Sequence, residues 1–264
     1  MNSLEIGILF PAFLAGILVL ATHVPMGQHV LNRGIVFIDL AIAQVAGLGV
    51  TAASTFGFEA EGWRVQIAAV IAALLGALLL TWTEKKWPEV QEALIGVLFA
   101  VAACAELLLL ANNPQGGEHL KDLLVGQILW VSISSLIPIA ILYALALVVW
   151  FGFRHKMGQT GFYVLFALVV TQSVQLVGIY LVFASLIIPA LASKRFAEKL
   201  RLGVGYTVGL IGYVLGLVCS SLFDLPTGAV IVVTLLVTFI GAILVSLAVP
   251  QSLRAQPSGL HAVH

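Results

Sequence analysis

Two carboxylates interrupt runs that are otherwise apolar: Asp39 in VFIDLAIAQ and Glu106 in VAACAELLLLAN. An ionisable side chain placed in hydrocarbon costs at least ~2.5–3.5 kcal/mol, so each needs a partner or a wet cavity. Two readings stand for Asp39. It is either a partner for Arg33 or a helix-end group near the interface, or it belongs to a pathway through the protein. Small-residue packing around Glu106 does not require a charge, which points it toward a pathway or gating role. Gln44, Gln127, Gln172, Ser173 and Gln175 add neutral hydrogen-bonding groups within the same kind of sequence. Gln172 and Gln175, three apart, share a helix face and suit either interhelical hydrogen bonds or the lining of a hydrated conduit.

The elements that carry these groups follow from composition. Of 264 residues, 61% are hydrophobic and 9% charged, against roughly 25% charged in a soluble domain. Such a chain has too little polar surface to face water, and it reads as an all-α, polytopic integral membrane protein. Formal net charge is zero with no basic tract, which excludes nucleic acid as a natural partner. Cys104 and Cys219 both lie in apolar runs; two cysteines are too few for a disulfide framework. The N-terminus has Glu5 and no Lys or Arg before its apolar run, so it reads as a first span rather than a cleaved signal.

Runs long enough to span, roughly 20 residues, lie near 5–23, 35–56, 65–83, 92–111, 127–151, 203–222 and 227–249. Between them Phe162 to Ser193 forms one longer run, which as a single helix would be ~48 Å long and needs extreme tilt. Gly178 and Pro189 offer places to turn or break. Charge separates the eight-span and nine-span counts. With two passes through 162–193, one side receives Arg33, Lys85, Lys86, Arg154, Lys156, Lys194, Arg195, Lys199, Arg201 and Arg254, and the other only Arg64 and Lys121. With a single pass the last five change sides and the asymmetry is lost. Because basic loops stay in the cytoplasm, the sequence predicts nine spans, N-terminus outside and C-terminus cytoplasmic. Residues 1–250 form one transmembrane domain, and 251–264 read as a disordered cytoplasmic tail. Glycines 205, 209, 212 and 216 make two small-xxx-small pairs suited to close helix packing. His23 and His29 are expected to flank a first cytoplasmic turn, HVPMGQHVLNR.

The stretch SLIIPALASKRFAEKLR, residues 185–201, places four cations directly after an apolar run and Pro189. Helical spacing would put Ala192, Phe196 and Leu200 on one stripe and pair Lys194 with Glu198. Such a patch serves either as a charge that fixes topology or as a short helix that docks into a cytoplasmic partner.

Residues 177–197, VGIYLVFASLIIPALASKRFA, resemble the signature of the permease subunits of ATP-binding-cassette importers of divalent metals (zinc, manganese, iron). Further matches fall in family order at VLNRGIVFIDLAIAQVAGLGV (30–50), EALIGVLFA (92–100), HLKDLLVGQILWVS (119–132) and FDLPTGAVIVV (223–233). The resemblance implies a homodimeric permease in the bacterial inner membrane, a separate ATPase subunit, and an extracytoplasmic metal-binding protein that delivers the ion. It implies no covalent chemistry and no cofactor on this subunit. It makes Pro189, Lys194, Arg195, Phe196, Lys199 and Arg201 the element received by the ATPase, and Asp39, Gln44 and Glu106 candidates for handling the metal. Gln127, Gln172 and Gln175 are then candidate polar groups of the path.

The chain departs from the family where many members carry an Asp and a His four residues apart in the second span. Leu40 and Gln44 occupy those positions, and Asp39, one residue early, points well away from that face. A family acidic position is here Gln127. Either the metal moves through a weakly binding polar path, with selectivity left to the delivery protein, or the substrate is a chelate or a non-metal solute. An ATP-independent secondary transporter would carry inverted repeats, and none is visible. A membrane enzyme would need clustered histidines and carboxylates.

Overall fold

The computed structural model describes residues 3–58, 63–111, 113, 116–154 and 156–248. Among these residues ten α-helices follow in order: α1 Ser3–Arg33, α2 Ile38–Thr55, α3 Trp63–Lys86, α4 Gln91–Leu110, α5 Gly116–Val125, α6 Ile133–Phe153, α7 Gly158–Val177, α8 Ile179–Ser193, α9 Glu198–Phe223 and α10 Thr227–Ala248. Eight of them are long and apolar enough to cross a membrane; α8 is apolar but shorter, and α5 is a ten-residue amphipathic helix. The expected tail, 251–264, lies outside the described residues.

Side-chain contacts fix which helix ends lie together. Arg33, closing α1, pairs with Glu84 in the last turn of α3. Gln159 in the first turn of α7 donates to the same Glu84 carboxylate at 3.3 Å. Glu92 in the first turn of α4 accepts the Phe37 backbone N–H at the start of α2 (3.2 Å). Gln28 of α1 donates to Ser193 at the end of α8 (3.1 Å). Trp150 near the end of α6 meets His29 of α1 and Phe162 of α7. This is the basic end, with Lys85, Lys86, Arg154 and the 194–201 patch. The opposite end holds the 126–130 connector, the α7–α8 junction, the start of α10 and Lys121 on α5.

The long run 162–193 therefore doubles back. Gly178 breaks it with φ 81° and ψ 161°, a conformation open essentially to glycine. A Cβ there would drive into the backbone of Val125–Gly126, and Gly126, also at positive φ, has no room for one against Val177. Gly228 at the start of α10 closes the same knot against the Val125 carbonyl. At fifteen residues α8 is only ~22 Å long, and the α7–α8 turn packs against the 126–130 connector. The turn itself, residues 177–179, is enclosed by protein, which is where irregular backbone is tolerated in a spanning region.

The glycine ladder of α9 packs closely, as its spacing predicts, but serves two neighbours. Gly205 and Gly209 receive Val24 and Leu20 of α1, whereas Gly212 and Gly216 receive Leu235 and Ile231 of α10. Both cysteines are free, with Cys104 exposed on α4 and Cys219 half-exposed on α9.

Two local expectations are corrected. The segment HVPMGQHVLNR is not a turn: α1 continues through Pro25 to Arg33. His23 is wholly buried with Nδ1 at 2.9 Å from the Val19 carbonyl, and Gly27 lets α1 press against Leu186 and Ala190 of α8. Neighbouring helices compensate for the proline, as is usual in spanning helices. Likewise Lys194–Ala197 is a tight turn rather than a short helix. Ala197 adopts φ −55° and ψ 145°, which ends any continuity between Ala192 and Leu200, and Phe196 folds inward to 7% exposure.

Candidate functional site

The most enclosed charge is Glu106 on α4, with no exposed surface. Three positions of α2 meet it: Gln44, Gly47 and Thr51, spaced i, i+3 and i+7, which places them on one helix face. The Gln44 amide N–H donates to one carboxylate oxygen (Oε2), and the Thr51 hydroxyl donates to the other (Oε1) at 2.8 Å. Between these contacts Gly47 presents no side chain. A Cβ there would lie 3.6 and 3.8 Å from the two oxygens and 4.0 Å from Ile179 at the start of α8. Glu106 thus faces the seam between α2, α4 and α8, near the α7–α8 turn.

Sequence reasoning singled out Gln44 and Glu106 separately, and the fold joins them. Thr51 went unnoticed. Its spacing of seven from Gln44, with a glycine between, was the available signal.

Asp39 does not join this group. It is 1% exposed, and neither carboxylate oxygen has a hydrogen-bond partner. The charged side chain that acts on it is Glu92, fourteen residues before Glu106 on α4 and hence ~21 Å away along the axis. Asp39 and Glu106 therefore occupy different depths, Asp39 at the basic end and Glu106 toward the opposite one. Arg33, the partner considered for Asp39, is engaged by Glu84 instead.

The remaining polar candidates scatter. Gln172 donates to Gln66 of α3 at 3.4 Å, an interhelical bond. Gln175 keeps a buried amide nitrogen without a partner. Ser173 bonds back to the Val169 carbonyl at 2.9 Å. Gln127 is exposed on the connector before α6, outside any helix. Among the described residues no group of three or more His, Cys, Asp and Glu side chains converges as a metal centre would.

At the basic end a cavity of about 260 Å³ opens between α1, α6, α8 and the start of α9. Gln28, His29, Arg154, Ser193, Lys194 and Arg201 contribute its polar wall. Lys194, Arg195 and Lys199 are exposed, Pro189 is buried within α8, and Arg201 is half-buried, donating from Nε to the Phe196 carbonyl at 3.2 Å. That bond holds the tight turn against α9 while its cations face outward.

Over residues 5–162 and 151–246 the sequence matches the model of the ABC 3 transport family. The chain belongs to that family. A "High-affinity zinc uptake system membrane protein ZnuB" from Haemophilus influenzae is 25% identical over 251 residues, 86% of this chain and 93% of that protein. A "Manganese transport system membrane protein MntC" from Halalkalibacterium halodurans is 28% identical over 228 residues, covering 78% and 76% of the two chains. Among solved structures, "PsaBC from Streptococcus pneumoniae in complex with Fab" superimposes with a TM-score of 0.70 over 90% of each chain at 23% identity, a likeness of fold. This ABC 3 family chain is thus a multi-pass permease of the bacterial inner membrane, as its composition and basic-loop asymmetry anticipate.

Proposed function

We propose that this permease forms the path of an ATP-driven importer for a divalent metal ion, with zinc or manganese as the cargo class. Relatives named for zinc and manganese transport support the cargo. The observation that carries the reading to particular residues is Glu106: a wholly buried carboxylate, held by Gln44 and Thr51, deep in a chain of this family. In this arrangement the path is closed. Gln44 and Thr51 supply the positive hydrogen-bond potential that a cation would supply in the open path, so the carboxylate is compensated in either condition. Asp39, buried and unpartnered at the basic end, is a second station for the ion on its way out.

Basic loops face the cytoplasm, which sets the 194–201 turn and its cavity on the side of a separate ATPase subunit. Lys194, Arg195 and Lys199 form the cationic rim of that docking surface, Phe196 and Arg201 brace it, and Pro189 stiffens the approach. A second copy of the chain and an extracytoplasmic delivery protein complete the assembly. The permease contributes two arrangements of one path, and ATP binding and hydrolysis bias which is populated.

Reconstitution with the cognate ATPase and delivery protein in lipid vesicles tests this reading. Glu106→Gln should lower ATP-driven uptake of Mn²⁺ or Zn²⁺ by roughly 10–100-fold, the range seen when a metal-site partner is lost, while the ATPase still copurifies. Reversing Lys194, Arg195 and Lys199 to Glu should do the opposite, releasing the ATPase. Uptake unchanged by Glu106→Gln would remove that residue from the path.

A further inference from the structure

We infer that the cavity at the basic end binds a phosphate-type anion, and that its lining favours the headgroup of an anionic phospholipid as the source. The site lies apart from the path through Glu106 and needs no ATPase to form.

Four helices give one face each to the cavity. Pro25, Gln28, His29 and Asn32 follow the spacing of a single face on α1. Ala190, Ser193 and Lys194 do so on α8, and Glu198, Arg201 and Leu202 on α9, while the last turn of α6 closes the fourth side. The hollow between them measures about 260 Å³. Three cations, Arg154, Lys194 and Arg201, line it against the single carboxylate of Glu198. Two of the cations have a local reason for their place. Arg154 and Lys194 cap the C-terminal ends of α6 and α8, where positive charge suits the helix dipole. Arg201 has no such reason. It stands within the first four residues of α9, at the end whose dipole disfavours a cation. Its Nε is engaged by the Phe196 carbonyl, and among the described residues neither Arg201 nor Lys194 forms an ion pair. The terminal nitrogens of the guanidinium make a fork that fits a phosphate through two parallel hydrogen bonds.

The rim selects the kind of anion. Phe151 and Leu202 line the same cavity and are exposed on α6 and α9, both spanning helices. A headgroup that carries an apolar tail meets the cationic wall and this apolar rim together, whereas a free anion uses the wall alone. Basic pockets between spanning helices on the cytoplasmic side take anionic headgroups in this way. Because Arg201 also holds the Phe196 carbonyl, an anion on its outer nitrogens braces the 194–197 turn from behind. Lipid composition is thereby tied to the shape of the turn.

The test titrates the purified full-length permease, in a non-ionic detergent, with phosphatidylglycerol, with phosphatidylcholine of the same chains, or with inorganic phosphate. Lipid binding is read by native mass spectrometry, and all three additions by the thermal midpoint. Phosphatidylglycerol should bind about tenfold more tightly than phosphatidylcholine. Lys194→Gln and Arg201→Gln should each weaken it roughly three- to tenfold, and Glu198→Gln should tighten it roughly two- to fivefold. Lys199→Gln removes an exposed cation outside the cavity wall and should change nothing. Should Arg201→Gln fail to fold, Lys194→Gln and Glu198→Gln still decide. Inorganic phosphate that raises the midpoint as far as phosphatidylglycerol, with the same response to the variants, supports the anion site and overturns the lipid source. Equal binding of the two lipids overturns the inference, and so does a preference that ignores Lys194→Gln and Glu198→Gln or falls as much with Lys199→Gln. None of these measurements involves a metal ion or the ATPase, so the proposed function stands or falls separately.

Discussion

Thr51 shows what a single hydroxyl contributes inside a membrane protein. It donates to the Glu106 carboxylate at 2.8 Å, and both side chains are wholly buried. Removing one partner of a buried charged group costs on the order of 1–3 kcal/mol. Thr51→Val, which keeps the shape and deletes the donor, should therefore lower the thermal midpoint of the purified permease, and Thr51→Ser should restore most of it. Equal midpoints for the Val and wild-type proteins would mean that the hydroxyl is not holding the carboxylate. At this scale the sequence is only half readable. An acidic residue among leucines announces itself, so Glu106 and Asp39 stand out from composition alone. Which of them meets Gln44 depends on how α2 lies along α4, and residues sixty positions apart in one sequence carry no sign of that. Thr51 escaped because threonine is common in spanning helices and usually bonds its own backbone, as Thr81 and Thr171 do here.

At the scale of elements, the reversal at Gly178 gives the fold its character. The run 162–193 is too long for one helix, and a glycine near its middle marked the break; the structure places the turn at that residue. What the sequence did not disclose is that α8 would be short and its turn packed on the 126–130 connector, because this depends on glycines from three separate segments closing on one another. Gly178→Ala demands a backbone conformation costing of order 1–3 kcal/mol for a residue with a Cβ, and it adds a collision with the Gly126 backbone. It should lower the thermal midpoint clearly. Gly203→Ala is the matched control. Gly203 lies within α9, and a Cβ there meets nothing within 4 Å, so helix propensity should leave stability unchanged or improve it by up to about 1 kcal/mol. Comparable midpoints for the two variants would deny Gly178 its role as the pivot. The two local expectations corrected at this scale, a turn at HVPMGQHVLNR and a short helix at 194–197, share one cause: proline and clustered charge signal a break or a surface helix locally. Packing of Gly27 on α8 and the inward turn of Phe196 override both signals.

For the whole molecule, the number of passes decides where everything else acts. Among the described residues eight helices satisfy the length needed to cross, and α8, at ~22 Å, falls short of the ~30 Å hydrocarbon core. It still has to count as a pass. Its last residue is bonded to Gln28 at the end that also carries Arg33, Glu84 and Trp150, and Gly178, just before its first residue, packs on Gly126 at the opposite end. Parity makes this testable without a structure. With nine passes Lys199 and Lys121 lie on opposite faces of the membrane; with eight they share one. In a protein freed of its native thiols by Cys104→Ala and Cys219→Ala, Lys121→Cys should react with a membrane-impermeant thiol reagent in intact cells, and Lys199→Cys only after the cells are opened. Reaction of both from outside would return 162–193 to a single crossing. The cationic turn would then face away from any ATPase, and the importer mechanism would lose its motor.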